Sequence, residues 1–188
     1  LGQGYGRKVA AMKIGVFCSA NNNIDEVYFA AARQLGQWMV ERGHTLVFGG
    51  TNSGLMECIG QTVHQGGGIA IGVIPDIVER GSRRSDCVDV DIPCDSLSQR
   101  KDLMLAQSDV MVALPGGVGT LDEIFSIASS RSIGYHKKQV IIYNVNGFWD
   151  PLVKLLDYLQ AKGMIRGDYH TLMPVANTFE QLTELIGE

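Results

Sequence analysis

The chain has 188 residues, a length that fits one domain with a well-buried core better than two. Hydrophobic residues make up 45% of the sequence and charged residues 19%, which is typical of a globular protein and excludes a disordered chain. The net charge of −4 gives no general attraction to nucleic acid or to an anionic membrane, so any anion site has to be local.

The cysteine and histidine pattern bears on location and on metals. Cys18, Cys58, Cys87 and Cys94 form neither a CxxC pair nor a metal-finger spacing, and the histidines form no HExxH motif, so no metal or cofactor is expected. Scattered cysteines in apolar stretches indicate reduced thiols and predict a cytoplasmic location. No apolar run approaches the roughly 20 residues that a membrane-spanning helix needs, and no signal-peptide core is evident at the N-terminus.

Strand-like and helical segments alternate along the chain. Residues 1–11 are Gly-rich and precede Met12; we expect them to be a poorly ordered or artificial extension, and residues 12–188 to form the folded domain. Apolar runs rich in Val and Ile predict strands at 13–18, 46–48, 69–74, 88–92, 110–114 and 140–143. Helical patterns predict helices at about 25–42, 54–65, 96–106, 121–133, 150–162 and 179–186, with Gly43 as a C-cap.

This alternation predicts a single α/β domain built on a parallel, doubly wound sheet. Ligands of such sheets bind at the carboxyl ends of the strands, near the N-termini of helices. The segments that directly follow each strand are therefore the first place to look for a functional site.

A glycine loop, Pro115-Gly-Gly-Val-Gly-Thr120, follows the strand at 110–114. Glycines let the backbone approach an anion without a Cβ clash, and the following helix offers N–H groups and a positive dipole end for phosphate. A tight turn without a ligand is the alternative. Three glycines in four positions exceed what a turn requires, so we predict a phosphate site.

A second glycine turn, from Gly49 to Gly54, follows the second strand and also opens a helix. By itself this turn is as consistent with a structural role as with anion binding. Both turns are expected at the same edge of the sheet, so each strengthens the interpretation of the other as a nucleotide-phosphate site.

Charged residues near the first glycine loop have two interpretations each. Thr120 and Glu123 stand as T-x-x-E, which favours a capping box by spacing alone, whereas Glu123 beside a bound phosphate could act on a sugar. Asp122 could merely complement the helix dipole. Arg100 and Lys101 are either a solvated pair on a polar helix face or a clamp for phosphate or carboxylate.

Taken together, these motifs resemble those of the Lonely guy (LOG) family of cytokinin riboside 5'-monophosphate phosphoribohydrolases, once labelled possible lysine decarboxylases. The resemblance covers about residues 12–188 and rests on segments at fixed spacing. They are Val16-Phe-Cys-Ser19, Gly54-Leu-Met56, Arg100-Lys-x-x-Met104, Ser108-Asp109, Pro115-Gly-Gly-x-Gly-Thr120-x-x-Glu123 and Gly134-x-His136-x-Lys138.

The resemblance implies a Rossmann-like fold, a homodimer, and hydrolysis of the N-glycosidic bond of a nucleoside 5'-monophosphate to a free adenine-type base and ribose 5-phosphate. It assigns catalysis to Arg100 and Glu123, where a carboxylate could stabilise an oxocarbenium-like sugar and orient water without a metal. The residues that we assign to substrate and phosphate binding are Lys101, Gly116, Gly117, Gly119, Thr120, Gly50, Ser19 and Asp122.

The chain also departs from the family pattern around the base. Leu97-Ser98-Gln99 replaces a common Met-His-Glu, Ser19-Ala20-Asn21 replaces Gly-Ser-Ser, and Ser129-Ser130 replaces Thr-Trp. These changes leave open whether prenylated AMP or plain AMP is preferred, so a general AMP nucleosidase for salvage stays an alternative.

Two other functions compete with this assignment. A pyridoxal-phosphate lysine decarboxylase needs a Schiff-base lysine and usually a larger fold, and the residue two before His136 is Gly134 rather than serine,. A non-catalytic nucleotide carrier, similar to molybdenum cofactor carriers, would share the glycine loops but would not need both Arg100 and Glu123.

Overall fold

A computed structural model describes residues 10–187 of the chain. The strands in this range are β1 (Lys13–Phe17), β2 (Thr45–Phe48), β3 (Ala70–Pro75), β4 (Val90–Cys94), β5 (Val110–Ala113), β6 (Val140–Tyr143) and β7 (Val175–Ala176). The α-helices are α1 (Glu26–Arg42), α2 (Gly54–Gln65), α3 (Asp76–Arg80), α4 (Leu97–Gln107), α5 (Val118–Ser132), α6 (Asp150–Ala161) and α7 (Phe179–Ile186). Residues 1–9 of the predicted extension lie outside the described residues.

All strand pairs are parallel, and the strands lie in the order β4-β3-β2-β1-β5-β6-β7. The chain first moves outward from β1 to β4, then returns to pair β5 with the free side of β1. The order therefore reverses between β1 and β5, which is the position where open α/β sheets bind ligands. The predicted α/β, Rossmann-like, doubly wound single domain is confirmed.

Helices cover both faces of the sheet. One apolar layer joins α1, α2 and α7 to the sheet through buried side chains such as Leu35, Ile59 and Leu182. The other joins α4, α5 and α6 through side chains such as Met104 and Ile124. Because both faces are covered, the strands are apolar on both sides, which explains their continuous Val and Ile runs.

Several element boundaries differ from the sequence prediction. The fourth strand is Val90–Cys94 rather than 88–92, and its Pro93 is tolerated because β4 lies at the sheet edge,. The prediction missed β7 and α3, which have two and five residues and so lack a recognisable period. Gly43 is confirmed as the C-cap of α1, with a left-handed φ of 72°,.

None of the helices in residues 10–187 combines the length and the hydrophobicity that a transmembrane segment requires.

Backbone contacts tie the loops at the switch point together. The Ser19 N–H donates to the Pro115 carbonyl at 3.0 Å, and the Leu55 N–H donates to the Ser19 carbonyl at 2.8 Å. Gly54 has a φ of +60°, and a Cβ there would lie 2.6 Å from the Asn21 nitrogen. The start of α2 thus packs directly on the loop after β1, which requires glycine at this position.

Candidate functional site

A cavity of about 320 Å³ opens at the carboxyl ends of β1 and β5. It lies between the loop after β1 and the first turns of α2, α4 and α5. The residues that line it are Cys18, Ser19, Ala20, Asn21, Met56, Arg100, Gly117, Gly119, Thr120 and Glu123. Six of the ten site residues predicted from sequence thus lie together at this cavity: Ser19, Arg100, Gly117, Gly119, Thr120 and Glu123.

The first turn of α5 presents unpaired donors to this cavity. The N-cap residue is Gly117, which has no side chain to cap the helix. The first amide of the helix to bond within the protein is that of Leu121, which donates to the Gly117 carbonyl at 3.0 Å. The N–H groups of Val118, Gly119 and Thr120 remain free of protein partners among the described residues, so this turn can bind an anion.

The glycines of this loop serve two different purposes. A Cβ on Gly116 would collide with the buried Thr120 side chain, so packing alone requires glycine there. A Cβ on Gly117 or Gly119 would meet no atom within 4 Å, although both residues line the cavity. Protein packing therefore does not require these two glycines, whereas a ligand seated on the amides would.

Arg100 is held in the cavity wall by backbone carbonyls. Its Nε donates to the Val73 carbonyl at 3.1 Å and its Nη2 to the Gly49 carbonyl at 2.8 Å. A Cβ on Gly49 would overlap the Arg100 guanidinium. The second glycine turn thus lets the guanidinium approach the ends of β2 and β3, and the remaining N–H groups of Arg100 are left for the cavity.

Glu123 places a carboxyl group in the same cavity, one turn after Thr120. Burial raises the pKa of Glu123 from 4.5 to about 7, Arg100 and Lys101 oppose this rise, and Asp122 adds to it. No hydrogen bond to the Glu123 carboxyl is made by residues 10–187. A partly desolvated carboxyl group that titrates near neutral pH is typical of acid–base sites.

The capping-box alternative for Thr120 and Glu123 is wrong. Helix α5 begins at Val118, three residues before the predicted start, and its N-cap is Gly117. Thr120 is therefore the third residue of the helix and Glu123 lies in its second turn, so neither side chain can cap it. Sequence reasoning failed here because glycine is a weak helix former and conceals a helical start.

Lys101 and Asp122 lie outside the lining of the cavity. The Lys101 Nζ donates to both Asp122 carboxylate oxygens, at 2.9 and 2.8 Å, and to the Ser126 hydroxyl at 3.0 Å. This contact links α4 to α5. The pair therefore connects the helix that carries Arg100 to the helix that carries Glu123.

Two amide groups of the second glycine turn are bonded within the protein. The Gly54 N–H donates to the Asn22 side chain at 2.8 Å, and the Asn52 N–H donates to the Arg83 carbonyl at 2.8 Å. Gly50 is buried behind the cavity, and its carbonyl accepts from the Ser85 N–H at 2.7 Å. This turn supports the site by holding Arg100 through the Gly49 carbonyl.

A second cavity of about 220 Å³ adjoins the first and shares Ser19, Asn21 and Gly117 with it. Its wall is largely apolar and includes Tyr28 and Phe148, whose rings meet edge to face at 5.3 Å. Sequence reasoning missed both aromatic residues. Only their positions in the sequence could have indicated them, because each lies shortly after a strand: Tyr28 after β1 and Phe148 after β6.

The His136–Lys138 segment has a structural role. The His136 ring lies 3.0 Å from the Ser130 hydroxyl and 3.1 Å from the Ile127 carbonyl, while the Lys138 Nζ donates to the Leu105 carbonyl at 2.6 Å. Neither residue lines the two cavities described above. Residues 10–187 also contain no cluster of three or more His, Cys, Asp or Glu side chains suited to a metal.

Sequence comparison relates the chain to nucleotide enzymes. The sequence profile of a family described as "Possible lysine decarboxylase" matches residues 56–186. A cytokinin riboside 5'-monophosphate phosphoribohydrolase from Arabidopsis thaliana is 34% identical over 94% of this chain and 83% of its own length. Another from Oryza sativa subsp. japonica is 35% identical over 94% of this chain and 73% of its own length.

Structural comparison gives neighbours of a second kind. The molybdenum cofactor binding protein from Rippkaea orientalis has a TM-score of 0.71 and 26% identity, covering 95% of this chain and 96% of that one. The Moco carrier protein from Chlamydomonas reinhardtii has a TM-score of 0.70 and 24% identity, covering 94% and 96%. The second likeness shows the fold alone.

The raised pKa of Glu123 predicts a pH-dependent cost to stability. The folded state holds the Glu123 proton more tightly than the unfolded state, so the cost is absent below pH 4.5 and complete above about pH 7,. Glu123→Gln should stabilise the protein by roughly 1–3 kcal/mol at pH 8 and by much less at pH 5, in urea unfolding. Exposed Glu41→Gln is the control, and equal gains at both pH values would contradict the assignment.

Proposed function

Because the chain belongs to the Lonely guy (LOG) family, as the profile match over residues 56–186 and the relatives at 34–35% identity show, we propose that it is an N-glycosidase. It hydrolyses the N-glycosidic bond of nucleoside 5'-monophosphates, including cytokinin nucleotides, and releases an adenine-type base and ribose 5-phosphate. The observation that carries this proposal is the desolvated Glu123 carboxyl group one turn from the uncapped start of α5.

The geometry supports one orientation of the substrate. The 5'-phosphate binds the free amides of Val118, Gly119 and Thr120, assisted by the helix dipole. Gly117 and Gly119 leave room for its oxygens, and Ser19 borders the same space. The ribose then lies over Glu123, because this residue follows the phosphate-binding turn on the same helix.

Glu123 acts in its ionised form. Water attacks C1' as the bond from C1' to the base nitrogen breaks, and the sugar develops positive charge. The carboxylate stabilises this charge and accepts a proton from the attacking water. The departing base takes up one proton from solvent, and Glu123 then returns its proton to solvent, so no net proton is gained or lost. Desolvation strengthens the interaction because the local dielectric constant is low.

Arg100 supplies the opposite charge. Its two bonds to backbone carbonyls fix the guanidinium before the substrate arrives, so little reorganisation is needed. The guanidinium neutralises phosphate charge and holds the nucleotide against Glu123. It also lowers the pKa of Glu123 against the effect of burial, which keeps part of the carboxyl group ionised at neutral pH.

We propose supporting roles for the remaining predicted residues. Lys101 and Asp122 act through their ion pair, which sets the distance between α4 and α5 and so between Arg100 and Glu123. Gly116 allows Thr120 to pack, and Gly50 supports the turn that holds Arg100.

The label of the family profile does not describe this site. A pyridoxal-phosphate decarboxylase forms a Schiff base with a lysine, but no lysine lines either cavity. Lys138 donates its ammonium protons to backbone carbonyls of α4. A carrier function on the same fold is the serious alternative, because the structural neighbours include a cofactor binding protein.

Release of free base tests the enzyme against the carrier. The protein is incubated with AMP and with isopentenyl-adenosine monophosphate, and base is quantified by chromatography. We expect turnover of both by the wild type, and a loss in kcat of about 100-fold or more in Glu123→Gln with nucleotide affinity retained. Because ionised Glu123 is required, kcat/KM should fall as the pH drops below about 7. Tight binding without base release by the wild type would support the carrier instead.

The variant Gly119→Ala tests whether the space beside Gly119 is needed for the ligand or for packing within the protein. Nothing lies within 4 Å of the added methyl group and alanine favours the helix by up to about 1 kcal/mol, so the melting temperature should stay or rise. The methyl group crowds the phosphate, so KM for AMP should rise by about 10-fold or more. Gly163→Ala, at a φ of +72°, is expected to show the opposite pattern: lower stability and unchanged KM. An unchanged KM in Gly119→Ala would contradict the phosphate assignment.

We also propose a cytoplasmic homodimer. Phe125 of α5 and Ile133, which directly follows this helix, are 39% and 71% exposed and line an apolar cavity of about 420 Å³ between α5 and α6. The four cysteines are unpaired, which fits a reducing compartment. Light scattering should give twice the mass of the 20.4 kDa chain, and half that value in Phe125→Glu. A monomeric wild type would contradict the dimer.

A further inference from the structure

The reaction described above leaves the departing base without an assigned partner in the protein. The start of α5 takes the phosphate, while Arg100 and Glu123 serve the phosphate and the ribose. The remaining wall of the first cavity consists of residues 18–21, which follow β1, and Met56 of α2. Because the base is attached to C1', across the sugar ring from the carbon that carries the 5'-phosphate, this remaining wall is the part of the cavity that faces the base.

Asn21 has the most unused hydrogen-bond donors in this wall. Ala20 and Met56 have no side-chain donor, and the Cys18 thiol is a weak one. The Ser19 hydroxyl offers a single O–H, and its oxygen accepts from the Asn21 backbone N–H at 3.0 Å. The Nδ2 group of Asn21 offers two N–H donors, and neither has a hydrogen-bond partner within residues 10–187.

The Asn21 side chain is held in one orientation. Its Oδ1 accepts from the Asn23 N–H at 2.9 Å, and because a backbone N–H donates only to the amide oxygen, this bond distinguishes Oδ1 from Nδ2. The loop is anchored in turn by α2, since the Leu55 N–H donates to the Ser19 carbonyl and Gly54 packs against the Asn21 nitrogen. A donor that is fixed before the substrate binds needs little reorganisation during the reaction.

The departing base requires a donor of this kind. When the bond from C1' to the base nitrogen breaks, its electron pair stays with the base, and the ring nitrogens gain negative charge. A hydrogen bond to a ring nitrogen strengthens as this charge grows, so it stabilises the transition state more than the bound nucleotide. The amide keeps its own proton, and the proton that neutralises the base comes from solvent.

We propose that Asn21 is a catalytic residue that stabilises the departing base through a hydrogen bond from its Nδ2 group to a ring nitrogen. The inference rests on the proposed function, and it adds a contact to the one reacting group that Arg100 and Glu123 do not serve. Asn21 also lines the second cavity, together with Gly117 of the phosphate turn. A contact with the phosphate is therefore the competing role that the experiment has to separate.

The test compares Asn21→Asp with Asn23→Asp. The first variant keeps the oxygen that accepts from the Asn23 N–H and removes both donors. The control adds the same charge two residues away, at an exposed side chain that lines neither cavity. Asn21→Ala serves as an uncharged second variant, and thermal melting verifies that each protein is folded.

Three ligands distinguish the part of the substrate that Asn21 contacts. AMP carries a base that needs stabilisation as it leaves. The activated substrate 4-nitrophenyl ribofuranoside 5-phosphate releases nitrophenolate, a stable anion that needs no hydrogen bond. Ribose 5-phosphate, used as an inhibitor, has the sugar and the phosphate but no base. We measure kcat for the two substrates and Ki for the inhibitor.

We expect kcat for AMP to fall by about 10-fold or more in Asn21→Asp relative to Asn23→Asp, and in Asn21→Ala relative to the wild type. For the nitrophenyl substrate kcat, and for ribose 5-phosphate Ki, should change by about 2-fold at most in the same comparisons. Equal losses on both substrates would overturn the inference, as would full AMP turnover in both folded Asn21 variants. Weaker binding of ribose 5-phosphate by Asn21→Ala would assign Asn21 to the phosphate and also overturn it.

The wild type shows which of the two proposals fails. If it releases base from AMP and the Asn21 variants do so at the same rate, the role of Asn21 is wrong and the proposed reaction stands. If it releases neither base nor nitrophenolate, the proposed reaction is wrong and the role of Asn21 fails with it.

Discussion

The amides at the start of α5 have no hydrogen-bond partner in residues 10–187, and the candidate site depends on this. Four other helices satisfy donors in their first turns, whereas α6 has no side-chain cap and carries Pro151 in its first turn. Side chains cap α1, α4 and α7, from Asp25, Ser96 and Thr178, while the loop after β1 satisfies the start of α2. Unpaired N–H groups at a helix start cost free energy unless water or a ligand binds them. At α5 these groups lie beside the point where the strand order reverses, which makes this helix start the candidate anion site,.

The position of Glu123 on α5 exposes its pKa to two opposing effects. The Glu123 carboxyl group follows the first turn of α5 by one helical turn and is drawn away from water by the packing of α5 on the sheet, so its pKa rises. Arg100 limits the rise, but its guanidinium bonds to two backbone carbonyls and forms no ion pair with the Glu123 carboxylate in residues 10–187. The negative charge of ionised Glu123 is therefore only partly compensated. It lowers the free energy of unfolding, and it leaves the carboxylate available for the proposed reaction.

Sequence reasoning predicted the fold class, most element positions and the residues that converge at the switch point. Its failures share a physical origin. Thr120 and Glu123 matched a capping box because local spacing cannot show that a glycine-rich segment is already helical. Lys101 was predicted to bind substrate next to the catalytic Arg100, but the two side chains leave α4 in different directions, Lys101 toward Asp122 and Arg100 toward β3. Tyr28 and Phe148 belong to no motif, and only the order of strands in the sheet brings them together.

Four glycines of the two turns have different structural roles that the sequence motif does not reveal. Gly49 and Gly116 are required by neighbouring side chains, Arg100 and Thr120, so their loss would disturb the framework that holds the proposed catalytic groups. Gly117 and Gly119 face open space, so the protein alone gives no reason for them. In sequence all four appear as equivalent members of two glycine-rich turns. Only the space around each glycine shows whether it is required by neighbouring side chains or leaves room for a ligand. Substitution of the first kind should lower the stability of the fold, whereas substitution of the second kind should weaken ligand binding.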